Sequence, residues 1–372
     1  MMDKIKRMIL LHVPYNACNL HCKYCYITQQ NKWNDKIYKF KYDAKHIRKA
    51  LSIERLGGIC YINLCADGET LLCPEIVDVI EELLYEGHYI EIITNGTVNK
   101  RFDEIIKLPK TALDRLIFKF SFHYEELIRL NKMNDFIMNV SKVRSAGCSF
   151  TVELTTFDEL ISKVDDIKQI CSENFGALCH LTVGRDDTDP AIPIASKYSI
   201  EDYKDMWSQF SSDMFAYKLS TYYKKRKEFC YAGYWSLYVN LGTGSARQCY
   251  NSPFTQNIFD DIEKPIKYRA VGRCCKEPHC YNSHALLTFG LIPELQSPTY
   301  AQMRNRVCQD GTEWFQENAK AFYSSKLSES NSEFSNFEKM KATCSQLCLI
   351  YKRKFRSLLR KLFHKNITTA GQ

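Results

Sequence analysis

Three cysteines fall close together near the start of the chain, in the run Cys18-Asn19-Leu20-His21-Cys22-Lys23-Tyr24-Cys25-Tyr26. Thiolates are the usual ligands of iron–sulfur clusters, and a four-iron cube normally takes four of them. Three thiolates from one loop, with no fourth, leave one iron of such a cube open to another molecule. Cys22 and Cys25 also make a Cys-x-x-Cys pair, which is half of a common zinc site. Taken alone, the loop therefore leaves zinc open as an alternative to iron.

Such a loop must be held by a frame, and the pattern around it supplies one. Short β-rich runs at Met8–Val13, Cys60–Cys65, Tyr89–Thr94, Leu116–Phe122, Ser149–Thr155 and His180–Val183 alternate with helical patterns. The helical patterns are Ala44–Leu56, Pro74–Glu86, Phe102–Lys107, Asp135–Ala146 and Leu160–Asn174. Pro74 stands at the favoured first helical position, and Gly87 and Gly147 follow the ends of two of these helices. Strands alternating with helices predict a parallel sheet of βα units. Six units within the first 190 residues suit a partial (β/α)6 barrel better than a closed eightfold one. The cysteine loop follows the first strand, and in parallel α/β folds the chemistry gathers in loops at the C-terminal ends of strands.

The chain has 372 residues, 45% hydrophobic and 25% charged, as expected of a globular protein with one large and one smaller domain. The apolar run Met8 to Val13 is too short for a signal-peptide core or a spanning helix. Seventeen cysteines without a secretion signal predict a reducing, cytoplasmic setting, where metal binding outranks disulfides. The net charge of +8 is uneven: nine Lys or Arg and no acid lie between Lys339 and Lys365, which leaves the rest near neutral.

The cysteine loop resembles the cluster-binding loop of radical S-adenosylmethionine (SAM) enzymes, in the Cys-Asn-x-x-Cys-x-Tyr-Cys form. The resemblance, which covers about residues 8 to 290, implies the partial barrel and a [4Fe-4S] cluster on Cys18, Cys22 and Cys25. It also implies SAM chelating the open iron, and a 5′-deoxyadenosyl radical that removes a substrate hydrogen. The second strand end, Ala66-Asp67-Gly68-Glu69-Thr70, stands where the family has Gly-Gly-Glu-Pro for the methionyl amine. It departs from that pattern at Asp67 and Thr70, and Asp67, Gly68 and Glu69 carry the implied role. Thr94-Asn95-Gly96 matches the family's third strand end. Ser121 corresponds to a serine near the SAM carboxylate and ribose, Glu153 to a ribose contact, and Tyr24 to an aromatic residue near adenine. His123 is a candidate proton donor, substrate contact or structural histidine. The loop Arg185-Asp186-Asp187 marks a place for substrate chemistry without naming an acid or base.

Farther on, Cys230, thirteen residues, Gly244, four residues and Cys249 resemble the opening of the SPASM and twitch domains of radical SAM enzymes. Cys274, Cys275 and Cys280 follow, and His284 occupies the next position of interest. The segment has fewer cysteines than a two-cluster SPASM domain needs. The resemblance therefore implies one auxiliary [4Fe-4S] cluster on Cys230, Cys249, Cys275 and Cys280, with Cys274 the rival of Cys275 and a structural zinc the alternative. The expected organisation is a barrel over 1–190, a helical connector over 191–229, an auxiliary-cluster domain over 230–293, and C-terminal helices with a basic tail over 294–372. The Ser- and Asn-rich stretch 325–337 reads as a linker. Cys60, Cys65, Cys171 and Cys179 read as small buried hydrophobes.

Tyr351, Phe355, Leu358 and Leu362 recur at helical spacing among basic residues. Residues 347–365 thus predict a helix that either lies on an anionic membrane surface or packs on the protein with a solvated basic face. No nucleic acid is expected. Expected partners are an electron donor such as flavodoxin or ferredoxin, and a small-molecule, glycan or peptide substrate. The first strand begins near Met8, which leaves no room before it for the leader-binding domain often carried by peptide-modifying members. That favours a small molecule or glycan.

Overall fold

The computed structural model describes residues 3–250 and 252–369, excepting the side chains of residues 357–369. Nine strands form one open sheet in the order β6-β5-β4-β3-β2-β1-β7-β8-β9. They are β1 (Arg7–Val13), β2 (Cys60–Ala66), β3 (Tyr89–Thr94), β4 (Leu116–Ser121), β5 (Ser149–Thr156), β6 (His180–Val183), β7 (Ser236–Asn240), β8 (Ser245–Arg247) and β9 (Thr255–Asn257). β1 to β6 pair in parallel, each with its neighbour in sequence. Their outer face is apolar because helices cover it, and their inner face lines the barrel interior. The helix Ile76–Tyr85, for example, buries Ile76, Val79, Ile80, Leu83 and Leu84. The six strands foreseen from sequence all form, as a partial barrel that does not close.

Other elements depart from the expectation for local reasons. The pattern Ala44–Leu56 forms two helices, Ala44–Ala50 and Ile53–Leu56, because the Ser52 hydroxyl accepts from the Arg55 amide and starts a new helix. Leu160–Asn174 opens as a 3-10 turn over Asp158–Lys163 before the helix Val164–Phe175. The supposed linker 325–337 is docked. Leu327 is fully buried, Lys326 Nζ donates to the Ser297 and Pro298 carbonyls at 2.8 Å, and Asn331 donates to the Lys6 carbonyl at 2.8 Å.

β7 was hidden in a stretch of weak periodicity. It adds in parallel to β1, with Met8 opposite Ser236 and His12 opposite Asn240. The late cysteine-rich segment thus continues the barrel sheet. The later helices are α1 (Asp213–Thr221), which packs on β6, α2 (Ser283–Leu286), α3 (Tyr300–Arg304) and the long α4 (Asn336–Thr369). No helix among the described residues is long and apolar enough to cross a membrane.

Trp235 pins the junction between β7 and β1. It is fully buried, stacks on Tyr231 with centroids 3.8 Å apart, and its carbonyl accepts from the Met8 amide at 3.1 Å. Trp235→Ala should lower unfolding stability by about 3–5 kcal/mol, read as a shift of the urea midpoint. A change below about 1 kcal/mol would mean that β7 adds nothing to the barrel's stability.

Candidate active site

The cysteine loop is stitched to the end of β2 by main-chain bonds. The Gly68 amide donates to the Tyr15 carbonyl at 3.0 Å, and the Glu69 amide to the Ala17 carbonyl at 2.8 Å. The approach is so close that a Cβ on residue 68 would lie 2.0 Å from the Ala17 oxygen, so only glycine fits. Glu69 then joins β2 to β3. Its buried carboxylate accepts from the Asn95 amide at 2.6 Å, the Thr94 hydroxyl at 2.7 Å and the Leu71 amide at 2.9 Å. Burial raises its pKa, and these bonds offset part of that rise. Asn95 turns back to the loop, donating to Asn19 Oδ1 at 2.8 Å and lying 3.7 Å from Cys18 Sγ. On the opposite side Gln29, just after the loop, donates to the Arg185 carbonyl at 2.9 Å and accepts from the Asp187 amide at 2.8 Å. The loop is therefore fixed to the ends of β2, β3 and β6 together.

Cys18, Cys22 and Cys25 line one cavity of about 280 Å³ with Tyr24, Asp67 and Ser121. Burial raises all three thiol pKa values, Cys18 to about 12, and the neighbouring thiols raise those of Cys18 and Cys22 further. The groups are mutually unfavourable as bare thiolates and need a cation to be held together. Among the described residues, no three His, Cys, Asp or Glu side chains converge on a single ion. Three sulfurs facing one volume fit a cube, whose corners bind separate thiolates, and one zinc would need its sulfurs about 2.3 Å from a single centre.

The other residues singled out in the sequence fall as follows. Gly68, Glu69, Thr94 and Asn95 border the same cavity. Asp67 lies 3.0 Å from His12 Nε2 and accepts from the Tyr26 hydroxyl at 2.9 Å. Burial alone would raise its pKa, but His12 and Tyr26 hold it below the usual value. Tyr24 bonds the His123 ring and packs on Phe157 at 4.5 Å. Burial lowers the His123 pKa to about 4, which makes this histidine a neutral wall group. Glu153 lines a larger cavity of the barrel. It points into the barrel but is ion-paired to Lys119 Nζ at 2.8 Å and Arg304 Nη2 at 3.2 Å, so its carboxylate is already engaged. Arg185 and Asp187 line the barrel mouth, whereas Asp186 lies on the surface, bonded to Thr188.

Beneath the cysteines lies a second, larger cavity of about 630 Å³. Its walls include Asn63, Glu91, Lys119, Thr155, Thr182 and Arg304. These were not foreseen from the sequence: they alternate with core residues inside strands, or arrive from α3, and only the alternation along β5 hinted at such an inner face. Cys65 also lines this cavity, so it is a wall group and not merely a core filler. His284 is not grouped with the late cysteines, because α2 carries it into the barrel cavity.

Cys230, Cys249, Cys275 and Cys280 line a third cavity, of about 390 Å³. The Cys280 thiol is raised by burial and then by Cys249, Cys230 and Cys275, so these four share one neighbourhood. Cys274 borders the cavity too, yet its Sγ faces the Thr343 carbonyl at 3.7 Å and its thiol neighbour is Cys344. α4 walls this cavity through Gln346, Ile350, Arg353 and Lys354, with Gln346 bonded to Gln248 at 2.8 Å. Tyr351 and Phe355 point outward, 66% and 62% exposed, and the side chains of Leu358 and Leu362 lie outside the described residues.

A family model described as the radical SAM superfamily matches residues 12–170. A search of curated proteins finds no match. Among solved structures, SuiB of Streptococcus suis bound to S-adenosylmethionine aligns at 15% identity with a TM-score of 0.50, over 70% of this chain and 64% of that one. Native anSMEcpe with bound AdoMet aligns at 15% identity with a TM-score of 0.46, over 70% of this chain and 80% of that one. The alignment thus spans less than two thirds of SuiB, and at this identity the shared property is the fold.

Two substitutions test the site's construction. Glu69→Gln turns one acceptor into a donor facing donors and should cost about 1–3 kcal/mol of stability, read by thermal and urea unfolding. An unchanged midpoint would remove Glu69 as the tie between strand ends. Cys275→Ala should lose about four irons per chain from the reconstituted protein, and Cys274→Ala none. Equal iron in both variants would refute the assignment of Cys275.

Proposed function

We propose that this chain, whose residues 12–170 belong to the radical SAM superfamily, cleaves SAM in the cysteine-lined cavity and acts on a small polar or glycan-like substrate in the barrel beneath it. The arrangement that carries this reading is the set Cys18, Cys22 and Cys25 bound through Gly68, Glu69 and Asn95 to the strand ends around one cavity. Those three thiolates would hold a [4Fe-4S] cluster. With SAM on its open iron, such a cluster supplies the one-electron cleavage that yields a 5′-deoxyadenosyl radical.

The chain's own groups do the rest. The backbone around Asp67 and Gly68 faces the cavity between β2 and the loop, where an ammonium would find carbonyl acceptors. Ser121 offers a hydroxyl at the end of β4, and Tyr24 and His123, their rings tilted by 35°, make a neutral aromatic wall against which an adenine could pack. Glu153 builds the polar floor with Lys119 and Arg304. The floor's amides, hydroxyls and charges favour a substrate rich in polar groups over an apolar one. We assign an auxiliary cluster to Cys230, Cys249, Cys275 and Cys280, where it would accept an electron or position substrate. A reduced flavodoxin or ferredoxin would serve as donor.

Anaerobic reconstitution followed by dithionite and SAM tests this reading. The intact protein should bind about eight irons per chain and form 5′-deoxyadenosine, and Cys22→Ala should form none. Zinc in place of iron, with SAM left intact, would overturn it.

A further inference from the structure

Lys218 is the unexplained charge of the barrel. It projects from α1, is only 4% exposed, and its Nζ donates to the Thr182 hydroxyl at 2.6 Å. Among the described residues it has no ion-pair partner, although it borders the same cavity as the cysteine loop. The nearby carboxylates are engaged elsewhere. Glu153 pairs with Lys119 and Arg304, Glu91 accepts from Tyr61, Asn63 and Tyr300, and Asp187 faces Arg185 at 3.5 Å. Asp67 is held by His12 and Tyr26, and Glu69 by the strand ends. A buried ammonium without a counter-ion is costly, and this one is pressed further by Arg185 and Lys119, so that burial and like charge lower its pKa well below the ordinary value.

A second group points the same way. His284 is 5% exposed and lines both the upper and the lower cavity, and its Nδ1 is buried with no hydrogen-bond partner among the described residues. Lys218, Arg304, Lys119 and Arg185 all act on it with the same sign. A buried ammonium with no carboxylate partner, beside an imidazole nitrogen with no partner among the described residues, forms a site for an anion.

We propose that Lys218, supported by Arg185 and His284, is a subsite for a substrate oxyanion, a carboxylate or phosphate. It rests on the reading of the barrel as the substrate cavity. SAM also carries a carboxylate, but the Arg185 and His284 that accompany Lys218 line the larger cavity read as the substrate's as well as the cysteine-lined one. The substrate is therefore the ligand assigned here.

Inorganic sulfate is a probe of that chemistry, titrated calorimetrically into the reconstituted holoprotein with and without SAM. Wild type should bind one sulfate per chain in both conditions. Lys218→Met should weaken sulfate at least about tenfold, as loss of a charge-assisted contact does, and Lys218→Arg should keep it within about threefold. SAM affinity should be the same in all three. Amine acylation of wild type, read by mass spectrometry, avoids dependence on a variant that does not fold: sulfate should protect Lys218. No sulfate binding, equal binding by Lys218→Met, or no protection overturns the proposal. So does competition between sulfate and SAM with weaker SAM binding by Lys218→Met, which would give Lys218 to the SAM carboxylate. Sulfate binding requires no SAM cleavage, so absence of 5′-deoxyadenosine would sink the radical reading and leave this result standing.

Discussion

The main-chain contact between Gly68 and Ala17 is the constraint on which the site depends. Two backbones meet with no room for a Cβ, and two hydrogen bonds follow from the approach. A cysteine loop at a strand end would otherwise be free to wander, and three thiols raised by burial, two of them also by their thiol neighbours, would spread apart. Tying the loop to β2 at Gly68, to β3 through Asn95 and to β6 through Gln29 limits that freedom before any cofactor binds. Glu69 does its part entirely from within: buried and triply bonded, it orders two strand ends and has little capacity left for a ligand.

The barrel floor follows a different logic. Lys119, Glu153, Arg304 and Glu91 bring charges into a space with little water, where each isolated ion would cost several kcal/mol. They are tolerable because they are interleaved: Arg304 lies between two carboxylates and stacks on Tyr300 at 4.3 Å. Such a network holds its members to one geometry, since moving one leaves its partners unpaired. Lys218 stands outside this compensation: it borders the cysteine-lined cavity, and its ammonium bonds only the Thr182 hydroxyl among the described residues.

The sheet core and the cysteine loop were legible in the sequence, and the floor was not. Six strands could be read because parallel strands buried on both faces are continuous apolar runs, and Tyr89–Thr94 and His180–Val183 match their predicted bounds. β7 escaped notice because a five-residue strand among aromatics and cysteines has no period long enough to register. Alternation along β5 was compatible with Glu153 inside the barrel, where it lies, but did not decide it; its partner Arg304 comes from α3, and no local pattern announces a pairing over that distance. His284 looked like a neighbour of Cys280 by spacing, yet one turn of helix rotates it into another cavity. The two adjacent thiols Cys274 and Cys275 were indistinguishable in sequence because successive side chains diverge only once the backbone is fixed.

β7 has a consequence for how the two cysteine groups relate. Because it pairs with β1 along five residues and with β8, the strand leading to Cys249, the strands that lead to Cys249 and to Cys18 belong to one sheet with β7 between them. A tethered domain on a flexible linker would leave their separation variable. A shared sheet fixes it, and α2 adds a second connection: it starts just after Cys280 and ends by setting His284 in the barrel, while Ser283 accepts from Thr221 of α1 at 2.7 Å. Binding at the late cysteines would thereby order the helix that carries His284, and a ligand held by Lys218 would meet a wall whose position both cysteine groups determine.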